Sequence, residues 1–324
     1  MNITHVILYA IVPIVVVMLA GYISGKKGIF SGEDAKKFNK VVLDYALPAA
    51  LFVSIAQSTR EMLIKDIKLT VVSTVAIMFC FMLVYFVFKY CFKKNSGADA
   101  AVSALISGSP TIGFLGFAVL EPIFGTSPAV ALVVAIVGIV VNAIGIPVGL
   151  SLRNASLEKQ SPGNGKKQSA WTPVIHALMQ PVAWAPILAV VWVIVGIPWP
   201  AWASPSFDLI AKANASMAVF SAGIPLSAIK ISIDTQVVLG SVMKMILMPA
   251  VALGLGLLCQ MDALNLKMLV VACALPPAFS GIIIADEYDT YVATGTSSLT
   301  LSVLLFIGFC PLWIWLTDVA LAAC

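Results

Sequence analysis

Apolar runs of about 20 residues recur along the whole chain, each long enough for a helix rising 1.5 Å per residue to cross the roughly 30 Å of a bilayer's hydrocarbon. They fall near 5–25, 38–57, 67–89, 99–120, 128–152, 172–196, 207–229, 236–259, 266–286 and 291–317. Blocks such as Ile11–Gly21 are apolar on every side, so they read as helices and not as the alternating strands of an outer-membrane barrel. With 60% hydrophobic and 10% charged residues in 324, no water-soluble core could absorb so much apolar surface. The first run leads straight into Lys26-Lys27 with no small-residue cleavage site, so it is expected to be a retained helix and not a signal peptide.

Ten spans alternate the loops between two sides. One side holds Lys26, Lys27, Lys36, Lys37, Lys40, Lys89, Lys93, Lys94, Arg153, Lys159, Lys166, Lys167 and Lys230; the other holds only Arg60, Lys65, Lys68 and Lys267. Thirteen against four puts the basic loops in the cytoplasm and both termini outside. Trp199, Trp202, Trp313 and Trp315 then fall where an outer interfacial belt is expected. The net charge of +4 expresses topology, not nucleic-acid binding.

Arg153 to Ser169, with SPGNGKKQS inside it, reads as a flexible linker that divides the spans five and five. An odd number per half makes the halves inverted repeats: 1–152, a cytoplasmic linker 153–170, and 171–324. The fourth span of each half carries a matching irregularity. SGSPTIGFLG holds Pro110 between Gly108 and Gly113, and CALPPAFSGIIIADEYD holds Pro276 and Pro277. Proline removes an amide donor and crowds the preceding turn, so both helices should break at mid-membrane and can cross there. Two half-helix N-termini at one point favour an anion, with amides near Thr111 and Ala278 facing it.

The segments GYISGKKGIF, NKVVLDYALPAALFVSI, SGSPTIGFLG, MAVFSAGIPL, KMILMPAVALG and ALPPAFSGIIIADEYD resemble the auxin efflux carrier family over essentially the whole chain. The closest likeness is to bacterial members described as malonate or related dicarboxylate permeases. That resemblance implies a ten-helix elevator transporter in the bacterial cytoplasmic (inner) membrane. Spans 1, 2, 6 and 7 would form a scaffold that pairs two copies into a homodimer, and spans 3–5 and 8–10 would form the moving unit. It further implies a small organic anion as substrate, bound at the crossover by Ser109, Pro110, Thr111, Gly113, Pro276, Pro277, Ala278 and Ser280. Plant carriers have asparagine where this chain has Thr111, which argues against auxin.

The polar residues inside spans each carry two readings. Asp44, beside Tyr45 and ahead of Pro48, could take a coupling proton or Na⁺, or be an acid at the cytoplasmic rim. Lys244 could pair with a substrate carboxylate or with Asp286, or snorkel to the cytoplasmic surface. Lys212 and Glu121 are expected at the outer rim, and Asp286 and Glu287 in solvent on the cytoplasmic side. Asn214 is expected to line the site, whereas Asn142 fits interhelical bonding. Gly223 should let helices approach and slide.

Other chemistries find no support. Six cysteines show no CxxC spacing, His5 and His176 are isolated, and no Walker A, HExxH or GxSxG sequence occurs, so neither metal site, cofactor, ATP-driven pump nor catalytic centre is expected. Asn2-Ile3-Thr4, Asn154-Ala155-Ser156 and Asn214-Ala215-Ser216 match a glycosylation pattern of low specificity. An intramembrane enzyme built on Asp44 and Asp286 is the competing class, and it lacks the sequence contexts of such proteases.

Overall fold

The computed structural model describes residues 7–61, 67–160, 179, 181–228, 232–287 and 290–323, and among these the apolar runs are helical with no strand. We label the helices α1 (Ile7–Lys26), α2 (Gly32–Ala56), α3 (Ile67–Cys91), α4 (Gly97–Ser107) and α5 (Ile112–Phe124). α6 runs from Pro128 through a π-helical segment, Val140–Gly145, to Gln160. Then come α7 (Pro181–Val195), α8 (Ser204–Ala211), α9 (Ala213–Leu226), α10 (Thr235–Leu258), α11 (Ala263–Ala274), α12 (Phe279–Glu287) and α13 (Val292–Ala323). By length and composition seven stretches could each cross a membrane as one helix, counting α8 and α9 together, while α4, α5, α11 and the described part of α7 are shorter apolar pieces.

Helix starts are written in the sequence as caps. Ser31 and Ser96 accept from the amides of Asp34 and Asp99, whose carboxylates accept from the serine amides in return. Ser127, Asp234 and Asp262 cap α6, α10 and α11 in the simpler way. α1 ends where Gly28 takes φ +70°, a conformation open to glycine, letting the Ile29 amide reach back to the Ser24 carbonyl.

Four helices carry one wide π-helical turn, at Ile7–Ile11, Val42–Ala46, Val140–Gly145 and Met243–Leu247. In each case a proline follows two residues on: Pro13, Pro48, Pro147 and Pro249. Proline donates no amide and its ring pushes against the carbonyl four residues back, so the ladder ahead of it slips to i→i−5 bonds, as from Met248 to Met243. The carbonyl left over before Pro249 is that of Met245, and the Trp313 indole of α13 donates to it at 2.8 Å. Trp313 is thus buried and structural, not part of an interfacial belt; Trp315 and Trp202 remain exposed. Trp313→Phe leaves that carbonyl unpaired in an apolar interior, for an expected loss of about 1–3 kcal/mol readable as a lower melting temperature in detergent.

α1 and α9 approach more closely than side chains allow. A Cβ on Gly21 would lie 2.1 Å from the Phe220 carbonyl oxygen, and one on Gly223 would lie 2.1 Å from that of Met18. The two glycines face each other's backbone reciprocally, so Gly223 does let its helix approach another closely. α2 packs against α7 and α8 through an aromatic group of Phe52, Trp192, Trp199 and Phe207. The stretch read as a linker begins in helix, since α6 continues from Arg153 to Gln160. The remainder of that stretch, with Lys65, Lys230, His5 and His176, lies outside the described residues.

Candidate functional site

α4 and α11 each stop inside the bundle. α4 ends at Ser107 with the Gly108 amide closing on the Ala104 carbonyl, and α11 ends at Ala274 ahead of Leu275-Pro276-Pro277. The short extended pieces that follow run antiparallel to each other, with Pro110 opposite Pro277. The Thr111 amide donates to the Pro276 carbonyl at 3.0 Å, and the Ala278 amide donates to the carbonyls of Ser109 at 3.0 Å and Ile106 at 3.3 Å. α5 and α12 leave from this crossing, and Phe114 meets Phe279 edge to face across it, at 5.5 Å between ring centres. A Cβ on Gly281 would strike the α4 backbone at Leu105 and Ile106 within 2.9 Å, so α12 starts pressed against the end of α4.

These bonds correct one expectation. The amides of Thr111 and Ala278 are spent on the opposite segment and cannot serve a ligand. The donors left at the start of α5 are the Gly113 and Phe114 amides, which have no carbonyl within the helix to bond. The Thr111 hydroxyl joins them: Thr111 is 2% exposed and its Oγ1 has no hydrogen-bond partner. An unpaired buried hydroxyl costs about 1–3 kcal/mol, which a ligand oxygen would remove. Gly113 alone among these residues is partly exposed, and a Cβ there would sit 3.1 Å from Leu47 in α2. Ser109 points the other way, with its Oγ toward Gly145 in the π segment of α6. Ser280 is the second residue of α12; its side chain lies outside the described residues.

Asn214 is placed elsewhere. It is 1% exposed, neither its Oδ1 nor its Nδ2 has a partner, and it lines a cavity of about 480 Å³ between α2, α5 and α9. Ser54, Gln57, Phe117, Glu121, Asp208 and Lys212 share the wall. Phe117 lies six residues from Thr111, about 9 Å along α5, so the cavity flanks the later turns of α5 and not the break. Glu121 and Lys212, expected at a rim without further role, both belong to this polar wall.

The other ionisable candidates separate. Asp44 sits half-buried in the π segment before Pro48 and makes no ion pair among the described residues. Tyr45 beside it is 64% exposed on the outside of the bundle and faces away from the interior. Lys244 does not snorkel, and among the described residues it meets no carboxylate: it is fully buried, and its Nζ donates to the Cys273 carbonyl near the end of α11 and to the Met248 sulfur. Asp286 and Glu287 close α12 with their side chains outside the described residues. Sequence reading also missed a run of buried hydroxyls where α10 meets α13: Ser241 with Ser298 at 3.4 Å and with Ser302 at 3.2 Å. Two serines four residues apart on α13, Ser298 and Ser302, were its trace in the sequence.

The profile of a family described as "Membrane transport protein" matches residues 6–314. "Uncharacterized transporter YfdV" of Escherichia coli (strain K12) is 52% identical over 307 residues, covering 95% of this chain and 96% of that one. "Uncharacterized transporter MJ1031" of Methanocaldococcus jannaschii is 24% identical over 312 residues, 94% and 96% of the two chains. A Rhizobium meliloti protein named "Putative malonate transporter" is 24% identical over 311 residues, 92% of each.

Proposed function

The chain belongs to the auxin-efflux-carrier-like membrane transport protein family and is a transporter, not an enzyme, and from that premise we propose that it carries a small organic dianion, malonate or a close dicarboxylate, bound at the crossing of the two helix breaks. The observation that carries the proposal is the crossing itself, with Thr111 holding an unpartnered hydroxyl at the N-terminus of α5. First-turn amides and the positive end of the α5 dipole suit a carboxylate, and the hydroxyl adds a donor that reads an oxygen at one position. The printed name of the Rhizobium relative supports malonate as the first ligand to try.

The architecture we propose around this site is ten membrane spans in two inverted repeats, 1–152 and 171–324, joined through 153–170 in the cytoplasm with both termini outside. In it, α1, α2, α7 and α8–α9 form a scaffold that pairs two copies in the bacterial inner membrane. The remaining helices move as one body and take the crossing from one face to the other. The reciprocal Gly21–Gly223 contact lies within the proposed scaffold, where rigidity is required, and the polar cavity beside Asn214 lies between scaffold and moving helices, where a substrate would enter.

Purified protein in liposomes, supplied with labelled malonate, malate, succinate and a monocarboxylate with and without Na⁺ or proton gradients, tests the reading. Saturable movement of at least one dicarboxylate is expected. Failure of every dicarboxylate under every gradient contradicts it.

A further inference from the structure

Lys244 is the one charged residue with zero exposure among the described residues, and it lies in the π turn of α10 beneath the crossing. Its target, Cys273, is three residues from Pro276, so at most about 11 Å of chain separates the amine's partner from the crossing. The ionisable groups near enough to act on Lys244 are two thiols, Cys80 on α3 and Cys273 on α11. α13, which also packs on this turn, contributes the Trp313 indole and hydroxyls, and no carboxylate pairs with Lys244 among the described residues. A lone buried amine in a membrane protein calls for a function.

Two features suit a group that gains and loses a proton. First, the partners fit both forms. As an ammonium it has three donors, with the Cys273 carbonyl at a helix C-terminus and the Met248 sulfur accepting. As a neutral amine it has two donors, enough for the same two acceptors, and a lone pair that a thiol proton can meet. Secondly, a group of buried hydroxyls lies one helical turn from it, on the side of the basic loops. The exposed Ser232 donates its amide to Ser297 Oγ at 3.2 Å; Ser298 follows in sequence, its hydroxyl is 3.4 Å from that of Ser241, and Ser302 donates to Ser241 at 3.2 Å. Ser241 stands three residues, one turn, before Lys244 on α10. Ser297, Ser298, Ser241 and Ser302 are all buried.

We infer that Lys244 carries a coupling proton: its amine takes H⁺ along the serine hydroxyls on one side, becomes ammonium, and gives the same H⁺ up on the other side as the substrate is released. Only an N–H bond forms and breaks, and the co-transported species is the proton itself. This rests on the carrier reading above and extends it to the driving force.

The test uses liposomes loaded with unlabelled malonate, and a second set carrying an imposed proton gradient. Wild type is expected to exchange malonate and, with a gradient of one pH unit acidic on the supply side, to accumulate it about tenfold over the value without a gradient. Lys244→Met and Lys244→Arg should both still exchange labelled for unlabelled malonate and both lose the gradient-driven accumulation. Arginine is decisive because it keeps the charge and the hydrogen bond to Cys273 but never deprotonates: accumulation restored by arginine means a structural cap and overturns the inference, as does accumulation surviving in Lys244→Met. If wild type exchanges no dicarboxylate, the substrate reading has failed, and the proton claim is then decided by nitrogen-15 NMR of lysine-labelled protein. The resonance missing from Lys244→Met must convert between ammonium and amine across about pH 5 to 9; a resonance that stays ammonium throughout overturns it.

Discussion

Replacing Gly223 by alanine is expected to remove most of the folded protein from the membrane, or to lower its melting temperature in detergent far more than a methyl added where a helix has open space. The new Cβ would stand 2.1 Å from the Met18 carbonyl oxygen and 2.9 Å from the Tyr22 amide nitrogen, both backbone atoms in the middle of a helix that cannot turn aside. The helices must separate, and the loss of close packing along α1 and α9 is set at about 3 kcal/mol or more. Gly21→Ala should match it, since its Cβ meets the Phe220 carbonyl oxygen at the same distance. Gly254→Ala and Gly308→Ala are the controls: they lie in helices with nothing within 4 Å of the added carbon, and should leave stability unchanged or slightly raised. Equal behaviour of the four variants in a thermal-shift assay would show that the α1–α9 contact is not as close as described.

The double variant Pro110→Ala/Pro277→Ala is expected to lose transport while retaining its fold. Each proline keeps its helix from continuing, and together they hold the antiparallel segment on which the Thr111–Pro276 and Ala278–Ser109 bonds depend. Alanine supplies an amide at both places and lets α4 run on toward α5, while Pro276 still stops α11. That would rotate the first turn of α5 and move the Gly113 and Phe114 amides away from the Thr111 hydroxyl. Displacements near 1 Å in a binding constellation reduce rates by about a hundredfold, so malonate flux should fall at least tenfold with an unchanged elution profile in detergent. Flux and affinity equal to wild type would remove the crossing from the mechanism.

The helix breaks were legible because each proline has a second breaker beside it, Gly108 two residues before Pro110 and Pro276 next to Pro277, whereas Pro249 and Pro311 stand in helices that continue. The starts of α2 and α4 carry an equally local signal, a capping serine with Asp34 or Asp99 three residues on, yet hydropathy places the spans from 38 and 99 and so starts them late. What escaped depends on which face of a helix meets protein. In a soluble protein hydropathy marks that face, but lipid is as apolar as a protein interior, so Gly21, Gly223 and Trp313 look no different from lipid-facing neighbours. Lys244 shows the same limit. A lysine two turns into a span reads equally as snorkelling or buried, and only the fold brings the Cys273 carbonyl to its amine. The Thr111 and Ala278 amides were assigned to a ligand because the sequence could not show that the two broken segments would bond to each other.

The account rests on an anion beside the Thr111 hydroxyl, and substrate protection of a cysteine at the partly exposed Gly113 tests it most directly. In protein with the exposed Cys91 and Cys259, and also Cys324, replaced by serine, the buried Cys80, Cys273 and Cys310 can stay. Gly113→Cys, at the partly exposed residue of the site two positions on, is then modified by a small membrane-impermeant thiol reagent in active liposomes, and the rate is measured with and without saturating malonate. Slowing of at least fivefold by malonate, and none by an equal concentration of chloride, is the predicted result. Modification at the same rate in both, while malonate is still transported, would contradict the claim that the substrate binds where the two helix breaks cross.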